Sequence, residues 1–221
     1  MSSDSPAEQS ARTRFAALLD TFDTQVGSFF ATVTGAVQHA TTALVSGDES
    51  ETDRITEVIE QSEAMIAETE RQLDVTFALE APVATDLHRM LVVLRVLPSL
   101  ERSLELARHI AERAEFANQF HPEVLNSFGE MGALATAMWE TATGAWHSRD
   151  PALPVKLDED DDKLDVLADQ VADRLRQLED SPVVAMEGRL IVRFYERLGD
   201  HAVHVCRRIA DHTTGHEPER N

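Results

Sequence analysis

Between Ala11 and Val45 the apolar residues Phe15, Leu18, Phe22, Val26, Phe29, Val33, Val37 and Leu44 follow one another almost wholly at steps of three and four. A helix turns about 100° per residue, so this spacing keeps all of them on one stripe, whereas a half-buried strand would alternate. Such a segment can fold only by laying its stripe against other helices. The pattern resumes from about Glu51 to Ala78 through Ile55, Ile59, Ser62, Ile66, Thr69, Leu73 and Phe77. It returns from Val83 to Phe116 through Leu87, Leu91, Leu94, Leu97, Leu100 and Leu104. The intervening SGDES at 46–50 is a turn, with Gly47 ending one helix and Asp48 or Ser50 capping the next. Pro82 breaks the second segment from the third. Pro98 falls inside the third, where a lost backbone donor and a crowded preceding turn predict a kink.

NQFHPE, 118–123, is the natural boundary of the chain. Pro122 suits the first turn of a fourth helix carrying Leu125, Phe128, Met131, Leu134 or Ala135, Met138 and Ala142 and ending near His147. HSRDPALP, 147–154, is a turn. A fifth helix carries Leu157, Asp161, Leu164, Ala168, Val171, Leu175 and Leu178. Ser181 caps a sixth, with Pro182 in its first turn, and this helix ends near Thr214 and Gly215. The first ten residues and the final HEPERN are expected to fray. Six long helices joined by short turns predict an all-α fold of two tandem antiparallel three-helix bundles, 1–118 and 119–221.

The two halves repeat one another. Glu196, Asp200 and His204 lie at i, i+4, i+8 of the sixth helix, and each step moves the row only ~40° round the axis. Glu101, Glu105 and His109 form a like row at a constant spacing of 95 residues. On the fifth helix Asp161 falls where the apolar register calls for a Leu, and Asp165 lies one turn on. A carboxylate in such a register is costly to ionise unless it is paired or bound to metal. Facing acid-x-x-x-acid pairs are the donor set that helical bundles use for iron, manganese or zinc. His204 is a further nitrogen ligand or a hydrogen-bond partner of a carboxylate. LDEDDDKLD taken alone is also an ordinary solvated helix face.

Other candidates read more plainly. Arg193 is placed to bridge to Glu196, and Arg189 to nearby acids, in preference to an anion contact. His88, His147, His201 and His212 show no ligand spacing. Cys206 belongs to the core and offers no disulfide, which fits a reducing compartment. No nucleophile elbow and no glycine-rich phosphate loop occur. A formal net charge of −20 argues against nucleic acid and against docking on anionic lipid. No apolar run reaches the ~18 residues a membrane span needs, and a cytoplasmic protein is expected.

Two stretches resemble the PhoU family of phosphate-transport accessory and regulatory proteins. LEAPVATDLHRMLVVLRVLPSLERSLELARHIA, 79–111, is similar to that family's Pro-Val-Ala-x-Asp-Leu-Arg run followed by Leu-Glu-Arg-Ile-Gly-Asp. RFYERLGDHAVHVCRRIADHTTG, 193–215, is similar to its Arg-Tyr-x-Glu-Arg-x-x-Asp-His-Ala run. The resemblance implies a non-enzymatic cytoplasmic regulator that restrains phosphate uptake and phosphate-starvation signalling. Its implied partners are the ATPase subunit of the Pst phosphate importer and a phosphate-responsive sensor histidine kinase; a homodimer is also expected. It implies a metal cluster on Asp161, Asp165, Glu196 and Asp200. In the first half it retains Glu101 and Glu105 but faces them with Ser62 and Ile66, and Leu104 replaces the motif's Gly. His109 and His204 stand for the family's Asn, and His88 for its Arg. A carboxylate-bridged di-metal enzyme and a metal-free helical adaptor remain as other readings. The first lacks the usual Glu-x-x-His pair.

Overall fold

The computed structural model describes residues 6–80, 82, 84–178 and 181–214. Six α-helices and one short 3-10 helix follow in order: α1 Pro6–Ser46, α2 Glu49–Glu80, α3 Ala84–Glu112, the 3-10 helix Arg113–Gln119, α4 Pro122–Ser148, α5 Leu153–Gln177 and α6 Pro182–Thr214. The architecture is all-α, two tandem antiparallel three-helix bundles, with no strand among the described residues. α1 begins at Pro6, inside the segment expected to fray. The expected start of the third helix at Val83 and the C-terminal tail lie outside the described residues.

The connections obey local chemistry. Gly47 takes φ 68°, and its N–H bonds the Ala43 carbonyl at 2.8 Å, closing α1 with a left-handed residue. Asp48 Oδ1 then accepts from the Ser50 N–H at 3.0 Å and opens α2. Ser181 Oγ accepts from the Val184 N–H at 3.2 Å, with Pro182 in the first turn of α6. The third helix is shorter than its periodicity suggested, because 113–119 tighten to 3-10. Two constraints act there. His121 precedes a proline and must be extended, at ψ 141°. The α1–α2 turn also crosses at this point, where a Cβ on Gly47 would stand 3.3 Å from the Ala117 methyl. α3 runs unbroken through Pro98, whose ring is exposed.

α2 packs on α1 and α3, and α5 on α4 and α6, while α1 against α4 and α3 against α6 join the bundles. One continuous apolar core runs through both, from Leu19 on α1 to Ile209 on α6. The joint is pseudo-symmetric. A Cβ on Gly27 would meet His147 at 3.0 Å, and one on Gly129 would meet Val45 at 3.7 Å, so both members of the contact recur 102 residues on. α3 and α6 cross antiparallel: Ser103 pairs with His201 and, further up α3, the His109 ring stacks on Phe194 at 5.5 Å.

Candidate carboxylate site between α5 and α6

The acid row of α6 is held from behind by buried polar contacts. Trp139 Nε1 on α4 donates to the Leu198 carbonyl at 3.1 Å, and the buried Tyr195 hydroxyl lies 2.9 Å from Thr41 Oγ1 on α1. Gly132 makes room for that threonine, because a Cβ there would stand 2.2 Å from it. Tyr195, Leu198 and Ala202 therefore fix the inner face of α6, and Glu196 and Asp200 fall half-buried and exposed on the side turned to α5. Gly199 sits between them. A Cβ on it would lie 2.7 Å from Asp161 Oδ1 and 2.8 Å from Leu164 Cδ2. The missing side chain is thus what lets Asp161 come up against the α6 backbone.

Burial shapes the electrostatics of this seam. Asp161 is half-buried, and burial first, then Asp165 and Asp200, push its carboxyl up to about 6. Asp165 is shifted the same way, by burial and then by Asp200, with Arg193 in opposition. The three aspartates therefore act on one another. Glu196 is held at its edge by Arg193, Nη1 to Oε2 at 3.5 Å, as the sequence suggested. His204 is exposed, and burial, Arg208 and Arg207 lower its pKa, so its strongest charged neighbours are cations rather than the four acids. Among the described residues no group of three or more carboxylates, imidazoles or thiolates is drawn together as a cage for an ion.

The first bundle holds a related cluster that sequence reasoning only partly found. Glu101 and Glu105 match Glu196 and Asp200 in exposure, half-buried and exposed, so the spacing of 95 holds between α3 and α6. On α2 the register differs from the sequence alignment. Ile59, Ile66 and Leu73 are fully buried, as are Leu157, Leu164 and Val171, each 98 residues on. Ser62 and Ile66 accordingly point into the core, and Glu63 occupies the place of Asp161, with Ala67 at that of Asp165. Glu63 behaves like its counterpart: burial raises its pKa, Arg108 opposes, and Glu105 and Glu101 add to the rise. Arg108 Nη2 lies 3.4 Å from Glu63 Oε1, and both side chains are about three-quarters buried. The residue 95 positions after Arg108 is Val203, buried. Leu104, fully buried, stands where Gly199 leaves its gap. The heptad steps Ile59–Ile66–Leu73 and Leu157–Leu164–Val171 were the sequence signal for this register.

Two further residues take parts the spacing did not announce. His201 Nδ1 reaches Ser103 Oγ at 3.0 Å across the α3–α6 joint. Ser103 Oγ already donates to the Ser99 carbonyl at 2.6 Å, so Nδ1 carries the proton and His201 is the donor. Cys206 is core, and burial, then Asp158 and Asp150, push its thiol up to about 11. No helix among the described residues is long and apolar enough to cross a membrane.

Comparison with known proteins agrees with this geometry. The PhoU domain family matches residues 26–114 and 128–213, one match in each bundle. The chain is 34% identical over 185 residues to phosphate-specific transport system accessory protein PhoU homolog 1 of Mycobacterium tuberculosis, covering 81% of this chain and 84% of that one. It is 32% identical over 188 residues to PhoU homolog 2 of the same organism, covering 83% and 88%. The crystal structure of PhoU from Pseudomonas aeruginosa superposes with a TM-score of 0.84 at 21% identity, over 91% of this chain and 99% of that one. That of the phosphate transport system regulatory protein PhoU from Streptococcus pneumoniae gives 0.77 at 20%, over 93% and 100%. With both bundles matched in tandem and relatives aligned over most of their length, the chain belongs to the PhoU domain family.

Proposed function

We propose that this protein is a cytoplasmic, non-enzymatic accessory of phosphate transport that restrains phosphate uptake and the phosphate-starvation response. Its partners on this reading are the ATPase subunit of the phosphate importer and a phosphate-responsive sensor histidine kinase. The observation that carries it is the pair of family matches, one per bundle, in a chain that spans more than four-fifths of relatives named as accessory proteins of phosphate-specific transport. The chemistry of the chain fits a regulator better than a catalyst. Its one thiol is buried, and of the seam's acids Asp165 and Asp200 are exposed while Asp161 and Glu196 are half-buried. Deleting the gene is expected to raise a phosphate-responsive reporter in phosphate-rich medium, and an unchanged reporter would overturn the reading.

We further propose that the α5–α6 seam takes a divalent iron, zinc or manganese ion, which would have to draw together acids of the right donor chemistry that are not gathered into a cage among the described residues. Asp161, Asp165, Glu196 and Asp200 supply oxygen ligands from two facing helices, and the mutual repulsion of three of them is what a cation would relieve. When bound, the ion supplies charge compensation that fixes α5 against α6. Gly199 lets Asp161 reach the seam, and Trp139 and Tyr195 keep the α6 backbone from retreating. His204, one turn beyond Asp200, would join these donors only by turning away from Arg207 and Arg208, its charged neighbours. Glu101 and Glu105 make the weaker site, because Arg108 already compensates the charge of their cluster. Elemental analysis of protein purified without a chelating tag tests this. Asp161→Ala with Asp200→Ala should abolish binding, and Glu101→Ala with Glu105→Ala should leave it. The reverse pattern, or no metal in the wild type, would overturn it.

A further inference from the structure

Where α1 crosses the end of α4, a cavity of about 380 Å³ is lined by Asp23, Thr24, Ser28, Trp146, His147 and Arg149, over the bare backbone of Gly27. The duplicated frame does not require those side chains. At the related crossing, 102 residues away on each helix, Leu125 stands for Asp23, Val45 for His147 and Gly47 for Arg149. Leu125 packs on the core there, and Gly47 takes the left-handed backbone of a helix end without steric cost. Arg149 adopts the same backbone, φ 55°, and is the one positive-φ residue other than glycine among the described residues. Its guanidinium lies 4.0 Å over the Trp146 ring, is two-thirds buried, and makes no hydrogen bond to the described residues. Asp23 Oδ1 stands 3.8 Å from Nη2, beyond hydrogen-bond reach, while Asp23 Oδ2 accepts from Arg89 at 2.7 Å. Thr24 Oγ1 donates to the Asp20 carbonyl at 2.8 Å and Ser28 Oγ to the Gln25 carbonyl at 2.6 Å, so both hydroxyl oxygens are left as acceptors.

The cavity thus sets one unused fork of donors against three acceptors, Asp23 Oδ1 among them. A fully ionised oxyanion answers the arginine but meets the aspartate with like charge. A neutral ligand leaves the guanidinium without a counter-ion. An oxyanion that keeps a proton satisfies both, accepting from Arg149 and donating to Asp23. We propose that this cavity binds hydrogen phosphate, with Arg149 as the bidentate donor, Asp23 Oδ1 as the acceptor of the ligand's proton and His147 at the rim. The 3.8 Å between Nη2 and Oδ1 is a gap that ligand oxygens bridge. Sulfate has no proton at neutral pH, so Asp23 rejects it. Burial lowers the pKa of the guanidinium, and Asp23, opposed by Arg89, does not make up the difference, so an added anion is stabilising there. The preference for phosphate over bicarbonate, which also keeps a proton, rests on the function proposed above. The demand for a protonated oxyanion rests on the cavity alone, which shares no residue with the α5–α6 acids.

The test is calorimetric titration of the full chain with sodium phosphate, sodium sulfate and sodium bicarbonate, at neutral pH and constant ionic strength. The wild type is expected to bind phosphate about tenfold more tightly than either of the others. Arg149→Gly copies the first half and relieves the left-handed arginine. It should melt no lower than the wild type and weaken phosphate binding about tenfold or more. Asp23→Asn keeps the shape and turns an acceptor into a donor, so it should bind sulfate as tightly as phosphate. Should that variant unfold through its loss of Arg89, the ratio of phosphate to sulfate in the wild type still tests the role of Asp23. Phosphate binding unchanged by Arg149→Gly, sulfate bound as tightly as phosphate by the wild type, or no saturable phosphate binding at millimolar concentration would each overturn the proposal. Tighter binding of bicarbonate would overturn phosphate as the ligand. A failure here leaves the reporter experiment standing, and an unchanged reporter with phosphate bound at Arg149 would fault the proposed function and not the cavity.

Discussion

The first and second bundles carry the same acid row on their third helices and treat it in opposite ways. In the second, Asp161, Asp165 and Asp200 face one another across a gap left by Gly199, and Arg193 is the cation acting at its edge. In the first, the corresponding gap is filled by Leu104, and the half-buried Glu63 has Arg108 at 3.4 Å. Val203 replaces that arginine in the second. One duplicated frame thus holds an acid cluster with a compensating cation, Arg108, built into it, and another that has a buried valine at that position and Arg193 at its edge. Duplication lets the two seams diverge because each rests on its own helix pair, while α1, α3, α4 and α6 hold the shared core constant.

Exchanging the gap residues breaks this comparison most severely. Leu104→Gly removes a fully buried side chain from the α2–α3 seam and adds a glycine to a helix interior. The cavity costs about 3–5 kcal/mol and the glycine about 1 kcal/mol more. Denaturant unfolding should show a loss of that order, and a loss below about 1 kcal/mol would mean that the seam closes over the gap.

The converse exchange, Gly199→Leu, should cost less but reach the site directly. Its Cβ alone would stand 2.7 Å from Asp161 Oδ1, 2.8 Å from Leu164 and 3.3 Å from Met138. Overpacking of this kind costs about 1–3 kcal/mol, and here it must also push Asp161 towards solvent. The expected signature is a lowered melting point together with a return of the Asp161 carboxyl towards an ordinary aspartate in a carbon-detected NMR titration. A variant as stable as the wild type, with Asp161 unmoved, would remove Gly199 from the account.

Arg108→Val gives the first bundle the second bundle's residue. It leaves Glu63, partly buried between Glu101 and Glu105, without its cation, and should cost about 1–2 kcal/mol near neutral pH. The sign follows from Glu63. Its folded pKa already lies above the ordinary value and would rise further, so the ionised state is penalised and the deficit should shrink as acid protonates it. A deficit equal at pH 5 and pH 8 would mean that Arg108 acts through packing of its stem alone.

Much of this was legible in the sequence, for a physical reason. The three-and-four spacing marks where helices must bury a face, and proline, glycine, serine and aspartate mark where backbone groups lose their helical partners, so six helices and their turns follow. The row of Glu196 and Asp200 was legible because helical geometry alone puts i and i+4 on one side. The register of α2 against α5 was not. Asp161 in an apolar position drew the alignment to Ser62, a small polar residue, although the buried heptads place Glu63 there. Helix ends also resisted: 113–119 carry helical apolar spacing, and only their contact with the α1–α2 turn and the approaching Pro122 force them into a 3-10 path. Arg108 gave no local signal, since its partner Glu63 lies on another helix.

The smallest effect concerns Asp161 itself, and it isolates the second seam without altering its shape. In metal-free protein held with a chelator, its carboxyl is pushed up to about 6 by burial, Asp165 and Asp200, against an ordinary 3.8. The folded state therefore holds this proton more tightly than the unfolded chain does. Its contribution is fully present below the unfolded value, is lost as pH rises from about 4 through about 6, and stays lost above. The group is partly exposed, so solvent screening reduces the effect to about 1 kcal/mol. Asp161→Asn retains the shape and removes the charge. It should gain about that amount at pH 8, gain little at pH 4, and flatten the stability slope between them. Added divalent ion should reverse the order at pH 8, stabilising the wild type and not the variant. A wild type whose stability rises from pH 4 to pH 7 in step with the Asn variant would place the proton elsewhere and leave Asp161 an ordinary surface acid.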